Sequence, residues 1–176
     1  DDLRANDNEA LRNACNNGHL EIVKFIMNYP GMGIDDLRAC DNSALRYACA
    51  YGHIESVKFI MNYPGIGIDD LRARDNEALR NACEFGHTEI VKFILNYPGM
   101  GINDLRANNN EALRRASEFG HLEIFKRIIE HPEFGIDDIR ANDNEALINA
   151  CEYGHIEIEK LIIHFSISIS NAVPIC

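Results

Sequence analysis

The chain has 176 residues, 46% of them apolar and 26% charged, the balance of a folded protein and not of a disordered one. Its 17 basic and 28 acidic residues give a net charge of -11, which argues against general binding of nucleic acid or of an anionic membrane surface. The longest apolar stretch, Leu161 to Ser170, is broken by His164 and several serines and falls short of the ~20 residues of a spanning helix. The opening Asp1-Asp2-Leu3-Arg4 has neither the basic n-region nor the apolar h-region of a signal peptide.

A period of 34 residues organises the chain. Asp-Asn-Glu-Ala-Leu-Arg at Asp7 to Arg12 returns at Asp41, Asp75, Asn109 and Asp143, with small changes such as Ser43 for Glu and Ile148 for Arg. Gly-His returns at Gly18, Gly52, Gly86, Gly120 and Gly154. Residues 1–34 and 69–102 agree at 29 of 34 positions. Five units therefore cover 1–34, 35–68, 69–102, 103–136 and 137–165, and residues 166–176 form a non-repeat tail.

Within the first unit, Asp7 or Asn8 is expected to cap a helix whose first turn carries Glu9. Ala10, Leu11, Ala14 and Cys15 line its narrow buried face. Gly18 stops it by taking a left-handed conformation. A second helix over about Leu20 to Asn28 is expected to bury Ile22, Phe25 and Ile26 and expose Glu21 and Lys24. Tyr29-Pro30-Gly31 ends it, and the segment from Met32 to the next asparagine reads as an irregular projecting loop. Two helices of ~9 residues cannot bury a core alone, so each unit must stack on its neighbours. The expected fold is all-α, a solenoid of five stacked helix-turn-helix units.

Gly18-His19-Leu20-Glu21-Ile22-Val23-Lys24 resembles the Gly-His-x-Glu-Val-Val-Lys signature of ankyrin repeats. Ala10 to Cys15 stands where that family has Pro-Leu-His-x-Ala-Ala. The tetratricopeptide alternative shares the spacing but needs a Trp pattern, and the chain has no Trp. Against the family, Thr-Pro-Leu-His becomes Glu-Ala-Leu-Arg, and each unit is one residue longer than the usual 33. The Asn-Asp-Asn-Glu-Ala-Leu-Arg style resembles the arrays of giant DNA viruses. That resemblance implies a protein acting on a host protein in an infected cell's cytoplasm; intracellular bacterial effectors carry similar arrays.

No catalytic or metal chemistry emerges from the pattern. His19, His53, His87, His121 and His155 form a column, but stacked units ~10 Å apart cannot bring two of them to one zinc. Each is read as hydrogen-bonded to backbone. Cys15, Cys49, Cys83 and Cys151 read as small buried spacers, reduced in an intracellular compartment. The pairs Asp35-Asp36, Asp69-Asp70 and Asp137-Asp138 read as solvated loop charge, since calcium-loop spacing is absent. Arg12, Arg46, Arg80 and Arg114 are expected to pair within their helices and to form a ladder between units. Arg4, Arg38, Arg72, Arg106 and Arg140 are expected to be anchored by nearby aspartates. No cofactor is implied, and a catalytic site would break the repetition.

Function is sought where the copies differ. One column runs Asn13, Tyr47, Asn81, Arg115, Asn149; another Asn16, Ala50, Glu84, Glu118, Glu152; a third Asn17, Tyr51, Phe85, Phe119, Tyr153. A loop column runs Asn6, Cys40, Arg74, Asn108, Asn142. The resemblance puts these on the first helices and loop tips that line a concave partner-binding groove. Tyr47, Tyr51, Arg74, Asn81, Phe85, Arg115, Phe119, Asn149 and Tyr153 are the partner-binding candidates, of residue types common at interaction hot spots. The fifth unit carries -5 of the net charge, which favours a protein partner with a basic patch. The expected function is a non-enzymatic, cytoplasmic protein-interaction module, monomeric. The alternative is a structural scaffold that self-assembles end to end.

Overall fold

The small-residue stripe and the short apolar runs do form two helices per repeat. The structure, a computed structural model, describes residues 2–172. The first repeat has a 3-10 turn (Asp2–Arg4), α1 (Ala5–Asn16) and α2 (Leu20–Met27). The second has α3 (Ile34–Ala50) and α4 (Ile54–Met61), and the third α5 (Ile68–Leu71), α6 (Ala73–Glu84) and α7 (Thr88–Leu95). The fourth has α8 (Ile102–Leu105), α9 (Ala107–Glu118) and α10 (Leu122–Ile129). In the fifth are α11 (Ile136–Ile139), α12 (Ala141–Glu152) and α13 (Ile156–Ala172), which carries helix beyond the repeat into the tail. No strand occurs among the described residues.

Two compact units divide the chain, Asp1–Met100 and Gly101–Cys176. In the first, α1 packs on α3 and α3 on α6, while α2 packs on α4 and α4 on α7. In the second, α9 packs on α12 and α10 on α13. First helices stack on first helices and second on second, which is the two-layer solenoid architecture. Leu11, Leu45 and Leu79 lie fully buried along one unit, as Leu113 does in the other. Burying each such side chain is worth roughly 1.5–3 kcal/mol.

Four expectations need correction. The buried face of α2 is Val23, Ile26 and Met27, whereas Ile22 and Phe25 are 49% and 69% exposed. The counterpart of Ile22 in the third repeat, Ile90, lies on the helix that packs against α4 and is 1% exposed. The loop from Met32 onward is not irregular. It contains a short helical turn, seen as α5, α8 and α11 and as the start of α3. Cys151 is exposed, unlike Cys15, Cys49 and Cys83, because no further first helix covers it among the described residues.

The fourth correction concerns the caps. Asp7 and Asn8 do not begin a right-handed helix; Asn6, Asp7 and Asn8 form a left-handed turn with φ of 52°, 57° and 61°. The same triplet recurs in every repeat, at Cys40 to Asn42, Arg74 to Asn76, Asn108 to Asn110 and Asn142 to Asn144. Left-handed backbone costs an ordinary L-residue roughly 1–2 kcal/mol, and Asn and Asp suffer least because their short polar side chains bond locally. Thirteen of the fifteen positions are Asn or Asp; Cys40 and Arg74 are the exceptions.

Arg74→Asn should therefore stabilise the protein by about 1 kcal/mol in denaturant unfolding. The exposed pair from Arg74 to Glu77, 3.3 Å, would be lost, but asparagine bonds the equivalent glutamate elsewhere, as Asn6 does to Glu9 at 2.8 Å. Unchanged or lower stability would show that position 74 carries no strain.

Candidate functional site

Five first helices carry the variable columns, and polar contacts between successive repeats hold those helices in place. Gly33 N–H donates to Asp36 Oδ2 at 2.8 Å, which caps the short helical turn at the start of α3. The same carboxylate receives Arg4 of the preceding repeat in a fork, 2.7 and 3.0 Å, and Arg4 also reaches the Gly31 carbonyl. Arg38 repeats this on Asp70 at 2.7 and 3.0 Å and on the Gly65 carbonyl at 3.0 Å. In the second unit Arg106 does so on Asp138 at 2.6 and 2.9 Å. Arg4, Arg38 and Arg106 are thus anchored by aspartates, but by those of the next repeat.

The aspartate pairs, expected to be solvated, split in role. Asp35, Asp69 and Asp137 are exposed, while Asp36, Asp70 and Asp138 are buried. Two-pronged, charge-assisted bonds compensate that burial. The hydrogen bond from Arg4 is the main influence on Asp36 and holds its carboxyl below the usual range, against the opposing effect of desolvation. At Asp70 and Asp138 burial is the largest single influence and pushes upward. Together the arginine fork, the Gly67 or Gly135 amide and a neighbouring asparagine outweigh it, and the net shift is downward. Asn110 also donates to the Asp138 carbonyl at 3.0 Å.

Arg46 and Arg114 work differently from helical pairing. Arg46 donates to the carbonyls of Asp41 and Cys40 at 2.8 and 2.9 Å, tying down the left-handed turn, and to Glu77 of the next repeat at 2.6 Å. Arg114 likewise binds the Asn109 and Asn108 carbonyls, and Glu145 at 2.5 Å. One rung between repeats is present in each unit, Arg46 to Glu77 and Arg114 to Glu145; three residues before Arg46 stands Ser43, and Arg114 turns to the next repeat instead of to Glu111.

Of the five histidines in the column, His53, His87 and His155 bond backbone across repeats. His53 Nε2 lies 2.9 Å from the Asn16 carbonyl, His87 Nε2 2.8 Å from that of Ala50, and His155 Nε2 2.9 Å from that of Glu118. Each ring lies against the glycine that ends the preceding repeat's first helix; a Cβ on Gly52 would come within 2.7 Å of His87 Cε1. Gly52, at φ 81°, is required for two reasons, its backbone and the space it leaves. Burial raises the thiol of Cys15 to about 12 and pushes those of Cys49 and Cys83 up as well, so these are unreactive spacers. Among the described residues no group of His, Cys, Asp and Glu could hold a metal ion.

The partner-binding candidates divide by exposure. In the first unit Tyr51 and Phe85 are 57% and 55% exposed at the C-terminal ends of α3 and α6. In the second, Phe119 and Tyr153 are 45% and 55% exposed at the ends of α9 and α12. Phe119 stacks on His121 of its own turn, centroids 6.4 Å apart, and Tyr153 lies 6.5 Å from His155. Tyr47 and Asn81 are half-buried, and the Arg46 guanidinium sits 5.9 Å from the Tyr47 ring. Arg74 is exposed on the left-handed turn. Arg115 is held by Glu111 and Glu118 at 3.4 and 3.2 Å. Asn149 is buried, so its side chain offers a partner almost no surface. The buried column Asn8, Asn42, Asn76 and Asn110 is legible in the sequence only as invariance among the copies.

Acid should weaken this framework with a definite sign. A carboxyl whose folded pKa lies below its unfolded value stabilises the fold above that unfolded value, about 3.9, and the contribution fades as pH falls through the folded pKa. Stability should thus fall from about pH 4 downward. Asp70→Asn should lower stability at neutral pH and flatten part of that acid slope; an unchanged slope would mean that the fork contributes nothing.

The family model described as ankyrin repeats, in three copies, matches residues 1–75 and 64–143. No curated protein matches the chain. The matched segments span most of the sequence, and the helix pairs, the Gly-His turn and the two-layer stacking agree with them. The chain belongs to the ankyrin-repeat family.

Proposed function

We propose that this chain is a non-enzymatic module that binds a protein partner on the exposed ends of its first helices and on its left-handed turns. Ankyrin repeats are in general protein–protein interaction modules and typically lack catalytic activity. The observation that carries the reading is the exposure of Tyr51 and Phe85, where the copies differ, beside Ala48 and Ala82, which are fully buried and do not vary. Aromatic side chains left open on a rigid frame supply large contact area at little entropic cost. Tyr47 lies one helical turn before Tyr51, and Arg74 stands on the left-handed turn at the other end of α6. Phe119, Tyr153 and Arg115 offer the same chemistry in the second.

The fifth repeat, with -5 of the charge, favours a partner bearing a basic patch. The resemblance of the repeats to giant-virus arrays makes a host protein, met in the cytoplasm, the partner we favour. No helix of the described residues is long and apolar enough to cross a membrane.

Affinity capture with mass spectrometry would supply the partner, and purified binding would then be measured. Tyr51→Ala with Phe85→Ala should weaken it by more than ~2 kcal/mol, about thirtyfold. The melting temperature should barely move, because both rings are exposed. Lys24→Ala with Lys58→Ala, on the second helices, should leave binding nearly intact; these lysines pair with Glu21 and Glu55 of their own helices. Loss of binding in the lysine variant but not the aromatic one would put the partner on the opposite face.

A further inference from the structure

Inside the first unit the stack sets a spacing that a bound chain must match. α3 packs on α6, and the buried residues of these two helices include Ala44, Ala48, Ala78 and Ala82. Packed helices lie ~8–10 Å apart, and small side chains favour the short end of that range. Each of the two helices ends in an exposed ring, Tyr51 or Phe85. One helical turn before each ring stands a half-buried residue able to donate a hydrogen bond, Tyr47 or Asn81. Along the opposite edge, the left-handed turns expose one acid per repeat, Asp7, Asp41 and Asp75, and none of the three is in an ion pair among the described residues. Arg74 stands on the same edge, engaged by Glu77 at 3.3 Å.

An extended strand returns to the same face every second residue, ~6.6 Å, and its third residue faces away. An α-helix returns after two turns, ~10.8 Å, beyond the spacing of the stack. A polyproline II helix returns every third residue, ~9.3 Å, within it. Laid across the repeats, such a segment sets one residue in three against a ring of each repeat. Hydrogen bonding favours it too. An α-helix satisfies its own carbonyls, whereas a polyproline II segment leaves them open, and proline brings no N–H that needs an acceptor. The Tyr47 hydroxyl and the Asn81 amide supply donors beside the rings.

We propose that the first unit binds a basic, proline-rich segment in the polyproline II conformation, one turn of the segment to each repeat. A row of prolines lies on Tyr51 and Phe85, and a row of arginines or lysines faces the edge that carries Asp7, Asp41 and Asp75. Charge complementarity sets the sign: the first three repeats carry -2, -1 and -2. The segment is already extended when free, so it loses little entropy on a rigid surface. This occupant rests on the binding face proposed above and specifies what that face holds.

The test is fluorescence anisotropy of the whole chain with a labelled twelve-residue peptide repeating Pro-Pro-Arg. Binding should saturate below millimolar concentration and weaken as salt is added. It should be at least tenfold tighter than for peptides repeating Pro-Pro-Glu or Gly-Gly-Arg, and than for a helical peptide of equal charge with leucines seven residues apart. Tyr51→Ala with Phe85→Ala should cost at least tenfold in affinity, with circular dichroism unchanged. Asp41→Asn with Asp75→Asn should weaken binding several-fold and flatten its salt dependence; asparagine already holds this position at Asn109, so the turn is kept. No binding of the Pro-Pro-Arg peptide at millimolar concentration overturns the proposal. Equal binding of the Gly-Gly-Arg peptide, or tighter binding of the helical one, does so too. If the Pro-Pro-Arg peptide fails while a captured partner still depends on Tyr51 and Phe85, the occupant is wrong and the face stands. Peptide binding that ignores the aromatic substitutions would remove both.

Discussion

A single side-chain contact, the fork from an arginine to an aspartate 32 residues later, sets the register of everything else. Each aspartate does two things at once. It caps the short helical turn that opens its own repeat, and it accepts the arginine of the corresponding turn of the preceding one. Apolar stacking alone does not choose a register, because burial depends on area and is indifferent to direction. A planar guanidinium meeting two oxygens is directional, and it permits one placement of repeat on repeat. The buried carboxylates would be costly without it.

Around that fork the remaining polar contacts form a consistent set. Arginines at the head of the first helix tie down the carbonyls of the left-handed turn, and histidines close the far end of the same helix against the preceding repeat. Both ends of α3 are therefore held by its neighbours within its unit. Rigidity of this kind frees the remaining positions on that helix for variation. Substituting Asn17 by Tyr51 or Phe85 alters surface chemistry without disturbing the stack. A family fold by itself does not carry function, which is why we propose the variable surface as the binding face.

Much of this is legible in the sequence, and the misses have physical causes. The 34-residue period, the Gly18-type stop and the backbone-bonded histidines all follow from local chemistry and spacing. The left-handed turn does not, because Asn and Asp before Glu-Ala-Leu-Arg also read as ordinary helix caps, and both choices use the same residues. Asp36 and Asp35 are indistinguishable by type, yet one is buried and the other solvated. Only the direction of the short helical turn separates them. Asn149 reads as a surface residue from its column, and burial of that face in the fifth repeat removes it. Ile22 and Phe25 read as core from their helical spacing alone. Their exposure depends on which neighbour is present, which a repeat's own pattern does not encode.

The central claim is that the arginine–aspartate fork couples one repeat to the next. A double-mutant cycle on Arg38 and Asp70, read by denaturant unfolding at neutral pH, measures that coupling directly. Arg38→Ala, Asp70→Ala and the double variant should give an interaction energy of at least about 1 kcal/mol, since the two side chains bond each other at 2.7 and 3.0 Å. Additivity to within about 0.3 kcal/mol would mean that the two residues act independently, and the account of how the repeats hold register would be wrong.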